Sequence, residues 1–273
     1  MQNYASALRK GFEVVRKHKI LTLNHILQIQ QELEQNNAGL RKLPDTNLTN
    51  ASTGAVVYIP PQHADDIEKL MQNLVEYIND DTLSDVDPLV KMAVIHHQFE
   101  SIHPFYDGNG HTGRIINILY QVCKDLLKLP VLYLSRYIVE NKPDYYRLLQ
   151  QVRDEGKWEE WLLFMLRGVE LTSQQTIELI TGIKALMQNY KHKIREELPK
   201  IYSQDLLNNL FKHPYIKIEF VMDDLLIQRK TAAKYLDAVT EIGLLQKEKL
   251  GRSNYYLNVA LIQLFVNTKE QHV

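Results

Sequence analysis

Cysteine is nearly absent from this chain. Cys123 is the only one in 273 residues, so no internal disulfide can form. That fits a reducing compartment. A surplus of charge is missing too, because 32 Lys and Arg face 33 Asp and Glu for a net charge of −1. Nothing global therefore points to nucleic acid, a membrane surface or a strongly charged partner. No window reaches the roughly 18 apolar residues that cross a bilayer. Residues 1–20 carry Arg9, Lys10, Glu13, Arg16, Lys17 and Lys19 where a signal peptide would be apolar. Repeats and low-complexity segments are also lacking. What is present, 45% hydrophobic and 24% charged residues, is ordinary for a globular protein of one large or two smaller domains. The expectation is a soluble, cytoplasmic protein with no membrane partner.

Helical periodicity dominates what is there. Thr22 can cap a helix through Ile26, Ile29 and Leu33. Residues 64–79 set Ile67, Leu70, Met71, Leu74 and Ile78 on one stripe. Asp87-Pro88 starts a helix through Leu89, Met92, Ala93 and Ile95 toward Phe99. Another is expected from near Gly110 through Ile115, Ile116, Leu119, Val122 and Leu126. Further helices are expected across 132–140, 142–154 and 157–190, the last broken near Gly168 or Gly182. Residues 44–61 differ, and read either as a surface connection with β character or as a short hairpin.

From about residue 195 the texture changes. Leu206–Phe211 and Phe220–Leu226 are short helical patterns, followed by a helix carrying Ala232, Tyr235, Leu236, Val239 and Ile242 and ended by Gly243. Leu244–Lys249 and Ser253–Leu257 then read as strands around a turn. Helix, helix, hairpin is the order of a winged helix. The predicted domains are 1–190 and 195–273, with the boundary in the charged stretch Tyr190–Lys200.

The chemistry concentrates in the run from His103 to Arg114, His-Pro-Phe-Tyr-Asp-Gly-Asn-Gly-His-Thr-Gly-Arg. Gly108 and Gly110 flank Asn109 just before an apolar-periodic helix. Glycines permit positive φ and expose consecutive N–H groups, and with the helix dipole these make an anion site suited to phosphate. Arg114, one turn into the helix, can reach back to the same anion. Asp107 is a carboxylate beside that cradle, where Mg²⁺ is commonly held together with phosphate oxygens. His103 has the side chain whose ordinary pKa suits a general base near neutral pH. Each feature alone is weak, and their conjunction suggests phosphoryl or nucleotidyl transfer.

The same run resembles the Fic family signature His-Pro-Phe-x-(Asp/Glu)-Gly-Asn-Gly-Arg-x-x-Arg, matching every specified position but one. The resemblance implies a mainly all-α Fic-fold helical bundle (core about 20–185) with a β-hairpin flap at 44–61, followed by a small winged helix-turn-helix domain. It implies protein adenylylation, the transfer of AMP from ATP with Mg²⁺ to a Ser, Thr or Tyr hydroxyl of a target protein. By position, His103 would be the base and Asp107 the metal ligand. Gly108, Asn109 and Gly110 would stabilise charge on the α-phosphate, with Asn109 counted as catalytic. His111 and Arg114 would meet the distal phosphates, and Phe105 would seat the loop in the core. Tyr145 and Tyr146 would lie near the base, with core packing an equal reading for both. Thr53, Gly54, Ala55, Val56, Val57 and Tyr58 would form the flap that docks the target by main-chain pairing.

Two departures stand out. His111 replaces the usual arginine, a shorter and mostly neutral group at pH 7. An inhibitory Ser/Thr-x-x-x-Glu-Gly/Asn motif is lacking, since Glu155-Gly156 and Glu140-Asn141 follow Gln151 and Arg136 at the upstream position. Either the form is shortened or inhibition comes from elsewhere. In the second module Arg229, Lys230, Lys234 and Arg252 are candidates for DNA contact, weighed equally against a protein-interaction or homodimer wing. A nucleotide-responsive DNA-binding regulator is the alternative to an enzyme, and a different nucleotide donor is a third reading.

Overall fold

The computed structural model describes residues 2–49, 53–251 and 253–270. Contacts divide the chain into Met1–Ser173 and Gln174–Val273. Each unit has its own apolar core.

In the first unit, helix α1 (Gln2–His18) lies against α2 (Leu23–Glu34). The α2 start is a capping box: Thr22 Oγ1 accepts from His25 N at 3.2 Å while His25 Nδ1 accepts from Thr22 N at 3.3 Å. Ile26, Ile29 and Leu33 are buried, as the spacing predicts. The hairpin is present as β1 (Leu48–Thr49) and β2 (Val56–Tyr58), antiparallel, with Leu48 opposite Tyr58. Helix α3 (Ala64–Asn79) buries Ile67, Met71, Leu74 and Ile78.

Helices α4 (Pro88–Ile102) and α5 (Asn109–Cys123) form the centre. Asp87 Oδ1 caps α4 by accepting from Leu89 N at 2.7 Å, with Pro88 in the first turn. Both helices are buried on nearly every side, which is why neither shows a clean amphipathic stripe. Where the apolar pattern suggested that α5 runs to Leu126, it stops at Cys123. Asp125 takes φ 56°, and the amides of Leu126 and Leu127 turn back to Gln121 O. Helices α6 (Ser135–Glu140) and α7 (Lys142–Glu155) follow.

The predicted break near Gly168 or Gly182 does not occur: α8 (Trp158–Glu197) is continuous. These glycines serve packing. A Cβ at Gly168 would fall 2.6 Å from Tyr137 Cδ1 and 2.9 Å from Leu134 Cδ1, and one at Gly182 would fall 3.0 Å from Leu264 Cδ2. The start of α8 closes the first core through fully buried Trp161, whose Nε1 donates to Ala93 O at 2.9 Å.

In the second unit α9 (Gln204–Lys212), capped by Ser203, leads into β3 (Tyr215–Ile216), α10 (Ile218–Leu225) and α11 (Arg229–Glu241). Strands β4 (Gln246–Leu250) and β5 (Ser253–Leu257) form an antiparallel hairpin, joined by β3 in the order β3-β5-β4. A final helix, α12 (Val259–Glu270), has no counterpart among the expected elements. Leu206, Leu210, Val221, Leu236, Val239 and Tyr256 fill this core.

The two glycines of α8 give a paired test. Gly168→Ala should lower stability by about 1 kcal/mol, because overpacking against a ring outweighs the roughly 1 kcal/mol that alanine gains in a helix. Gly182→Ala, which meets only the end of a leucine, should be neutral or slightly stabilising. Urea midpoints of the two variants check this, and equal losses would show that packing does not explain Gly168.

Candidate active site

The connection from α4 to α5 holds the predicted residues, and its shape follows from a few contacts. His103 caps α4 in the left-handed region, φ 49°, with its N–H donating to Phe99 O at 3.0 Å. Its carbonyl accepts from Arg41 Nε at 2.8 Å. Arg41 is fully buried; it also donates through Nη2 to Ile102 O at 3.4 Å and to Pro61 O, and its own amide donates to Pro104 O at 2.9 Å. A permanent cation thus lies at the negative end of α4 and joins it to the segment leaving the hairpin.

Phe105 is fully buried against Phe99, with ring centroids 6.2 Å apart, and seats the loop as expected. The Asn109 side chain brackets the Phe105 peptide: Oδ1 accepts from Phe105 N at 2.9 Å and Nδ2 donates to Phe105 O at 2.8 Å. Asn109 is buried, so its amide shapes the loop, whereas the sequence reading put it on the anion.

Gly108, φ 78°, starts α5, whose first free N–H groups belong to Asn109, Gly110 and His111; Thr112 N already bonds Gly108 O. Side chains are disfavoured here, at Gly108 by its positive φ and at both glycines by crowding. A Cβ at Gly108 would lie 2.5 Å from Glu34 Oε1, and one at Gly110 would lie 3.2 Å from Arg114 Nη1. Arg114 therefore folds back over the first turn. Asp107 is exposed, and its Oδ1 accepts from Gly108 N at 2.7 Å. Among the described residues no three His, Cys, Asp or Glu cluster as a metal cage. A lone carboxylate beside an anion cradle fits Mg²⁺, which takes one or two carboxylates plus phosphate oxygens.

Burial sets the protonation states around this loop. His103 is pushed down to about 4, first by burial and then by Arg41 and Arg153, against a smaller pull from Asp107. It is neutral through the physiological range. Burial likewise drives His96 down to about 3 and Glu100 up to about 7, with Arg114 and Arg153 favouring ionised Glu100. Glu100 Oε1 and Arg114 Nε are both buried without a hydrogen-bond partner. His111 is exposed and edge-on to Tyr4, ring centroids 5.8 Å apart. Its pKa is lowered by partial burial and then by Arg114, which leaves it neutral at pH 7.

The remaining candidates divide. Tyr145 is a core residue whose hydroxyl pairs with His96 Nε2 at 2.9 Å, and of the pair only Tyr146 exposes its ring. In the hairpin Val56 and Val57 are exposed, Gly54 takes φ 70°, and Thr53 Oγ1 accepts from Ala55 N at 3.3 Å. Tyr58 turns inward, its hydroxyl donating to Ser101 O at 3.0 Å. In the second unit Arg229 pairs with Glu219 at 2.5 Å and Lys247 with Asp237 at 2.7 Å. Lys230 and Lys234 are exposed, and Arg252 lies outside the described residues. Sequence reasoning missed Arg41, Glu34, Glu100 and Arg153. Each is far from the signature or on a buried face, and none stands in a pattern that announces it.

Two segments of the chain match known protein families. Residues 20–121 match the Fic/DOC family, and residues 186–261 match the domain described as "Protein adenylyltransferase SoFic-like, C-terminal domain". Protein adenylyltransferase fic-1 of Caenorhabditis elegans is 23% identical over 162 residues, 59% of this chain and 30% of that protein. Protein adenylyltransferase Fic of Drosophila erecta is 37% identical over 59 residues, 22% of this chain and 12% of that protein. The chain thus spans less than a third of the length of these curated relatives. Among solved structures, a Fic family protein from Desulfovibrio desulfuricans G20 superposes with a TM-score of 0.54 at 20% identity, covering 94% of this chain and 73% of that one. Fic-1 from C. elegans does so with a TM-score of 0.50 at 22% identity, covering 64% and 49%. At these identities the structural likeness shows the fold. The chain thus carries a Fic/DOC family domain, followed by a SoFic-like C-terminal domain.

Proposed function

We propose that the chain is a protein adenylyltransferase, moving AMP from ATP to a Ser, Thr or Tyr hydroxyl of a target protein. The observation that carries this reading is the convergence of a neutral, half-buried imidazole at the end of α4 with the amide-lined start of α5. The names of the relatives and of the C-terminal domain support it.

In this reading the free amides of Gly110 and His111, with Arg114, hold the phosphates at the helix start. The target hydroxyl oxygen attacks the α-phosphorus, the bond to the β-phosphate oxygen breaks, and pyrophosphate leaves. The hydroxyl proton passes to the His103 imidazole. Asp107 holds Mg²⁺, which when bound offsets phosphate charge. Phosphate charge near His103 also raises its affinity for that proton, opposing the pull of Arg41 and Arg153. The exposed Val56–Tyr58 strand offers an open main-chain edge to an extended target segment.

The helix–strand–helix–helix–hairpin order of the second unit favours a winged-helix recognition module. Lys193, Lys212, Arg229 and Lys247 of this unit are each paired with an acid, which favours a protein partner over DNA. Target identity, the Mg²⁺ requirement, dimerisation and a cytoplasmic setting belong to the same proposal. Among the described residues no helix is long and apolar enough to cross a membrane.

Intact-mass analysis after incubation of candidate targets with ATP and Mg²⁺ should show the gain of one AMP. His103→Ala should cut α-³²P-ATP labelling by about 100- to 10,000-fold, the usual worth of a general base. Equal labelling by wild type and variant would sink the assignment. The working form of His103 is the neutral one and its pKa in the free protein is about 4, so kcat/KM for ATP, which reports the free enzyme, should hold from pH 8 down past 6 and fall only nearer pH 4. An acid limb at 6.5 would show that the imidazole is not held in its buried setting. His111→Arg, which restores a permanent charge, should lower the KM for ATP by about tenfold, since a charged hydrogen bond contributes about 1.5–3 kcal/mol. An unchanged KM would show that position 111 does not face the phosphates.

A further inference from the structure

Arg153, near the end of α7, lies between the hairpin and the last turn of α4. Its guanidinium stacks on the Tyr58 ring, with Cζ 3.8 Å from the centroid. The edge of the same plane donates to Ser101 Oγ through Nε at 3.0 Å and to Glu100 O through Nη2 at 3.3 Å, while Nη1 reaches Gln150 Oε1 at 3.4 Å. The Tyr58 hydroxyl donates to Ser101 O. Arg153 and Tyr58 therefore converge on one residue, two positions before His103. Tyr58 is the inward residue of β2, whereas Val56, Val57 and Ile59 face solvent and contribute little burial.

We propose that Arg153 is a positioning residue, a latch that fixes strand β2 over the last turn of α4 so that a segment paired along β2 meets His103 in register. It touches neither phosphate nor acceptor in this scheme; it acts through Tyr58 on one side and Ser101 on the other. The proposal rests on the reading of β2 as the acceptor's edge and of His103 as the base. Arginine suits the task because one rigid plane presents a face for stacking and a fork of donors at its edge. Lysine has a point charge and cannot do both at once. Arg41 holds the far end of the hairpin at Pro61, so Arg153 governs the strand itself.

Hydrogen exchange read by mass spectrometry on the full chain tests the latch without any substrate. Arg153→Gln should speed exchange of the Val56–Ile59 amides by about tenfold, the loss of a stacked cation and its hydrogen bonds, while the amides of α5 stay protected. Tyr58→Leu should do the same, and the double variant should do no more than either alone. Arg153→Lys should recover only part. Unchanged exchange in β2, or additive effects, would overturn the latch. With α-³²P-ATP and lysate protein, Arg153→Gln should lower labelling at saturating ATP by about tenfold, a cost typical of misplaced reacting groups, with KM for ATP nearly constant. A matching rise in that KM would mean a general loss of the site and count against the latch. Were the wild type to label nothing, the proposed function would fall alone, and the exchange result would still decide the latch.

Discussion

The structure of the site depends on one buried cation. The last carbonyls of any α-helix lack intrahelical donors, and those of Ile102 and His103 lie where water is largely excluded. Arg41 donates to both and to Pro61 as well. Among the described residues no carboxylate pairs with it; carbonyl oxygens and the negative end of α4 answer its charge. His103 can hold its left-handed backbone because both of its peptide groups are engaged, the N–H by Phe99 O and the carbonyl by Arg41.

Around that cation the apolar core of the first unit also holds polar groups, and these are largely discharged. Burial leaves His96 neutral and holds Glu100 near half-protonation at pH 7, while Tyr145 keeps its proton. The arginines stay charged, since guanidinium does not give up its proton in proteins. The field at the end of α4 is therefore positive before any ligand arrives. Such a field suits polyphosphate and adds to burial, the larger cause, in keeping a histidine there unprotonated.

Much of this was legible in the sequence because it is local. The Thr22 cap, the Asp87-Pro88 start, the α3 stripe and the Gly-Asn-Gly turn each depend on neighbours within a few positions, and each is found where expected. The signature carried its chemistry for the same reason. What depends on distant chain was not legible. Arg41 meets residues about 60 positions away, Glu34 reaches Gly108 across a similar interval, and Arg153 reaches back to Ser101. The glycines of α8 misled because local propensity marks them as breaks, whereas the helix runs through both, and at Gly168 the Tyr137 ring leaves no room for a Cβ. Asn109 misled in the opposite way. The family resemblance implied a ligand contact, but the Asn109 amide closes on a peptide four residues back.

That closure also bears on how the protein ages. In a flexible chain, asparagine followed by glycine is prone to self-attack, the next amide nitrogen cyclising onto the side-chain carbonyl and releasing ammonia. Here Asn109 precedes Gly110, yet its amide is bonded at both ends to Phe105 and its backbone has entered a helix, so the two reacting atoms are held apart. A loop that opens loses this protection. The resulting aspartate would place a carboxylate oxygen against Phe105 O, where an amide donor had been, and the loop could not close as before. The slow build-up of that product in stored protein would record how often the loop comes apart.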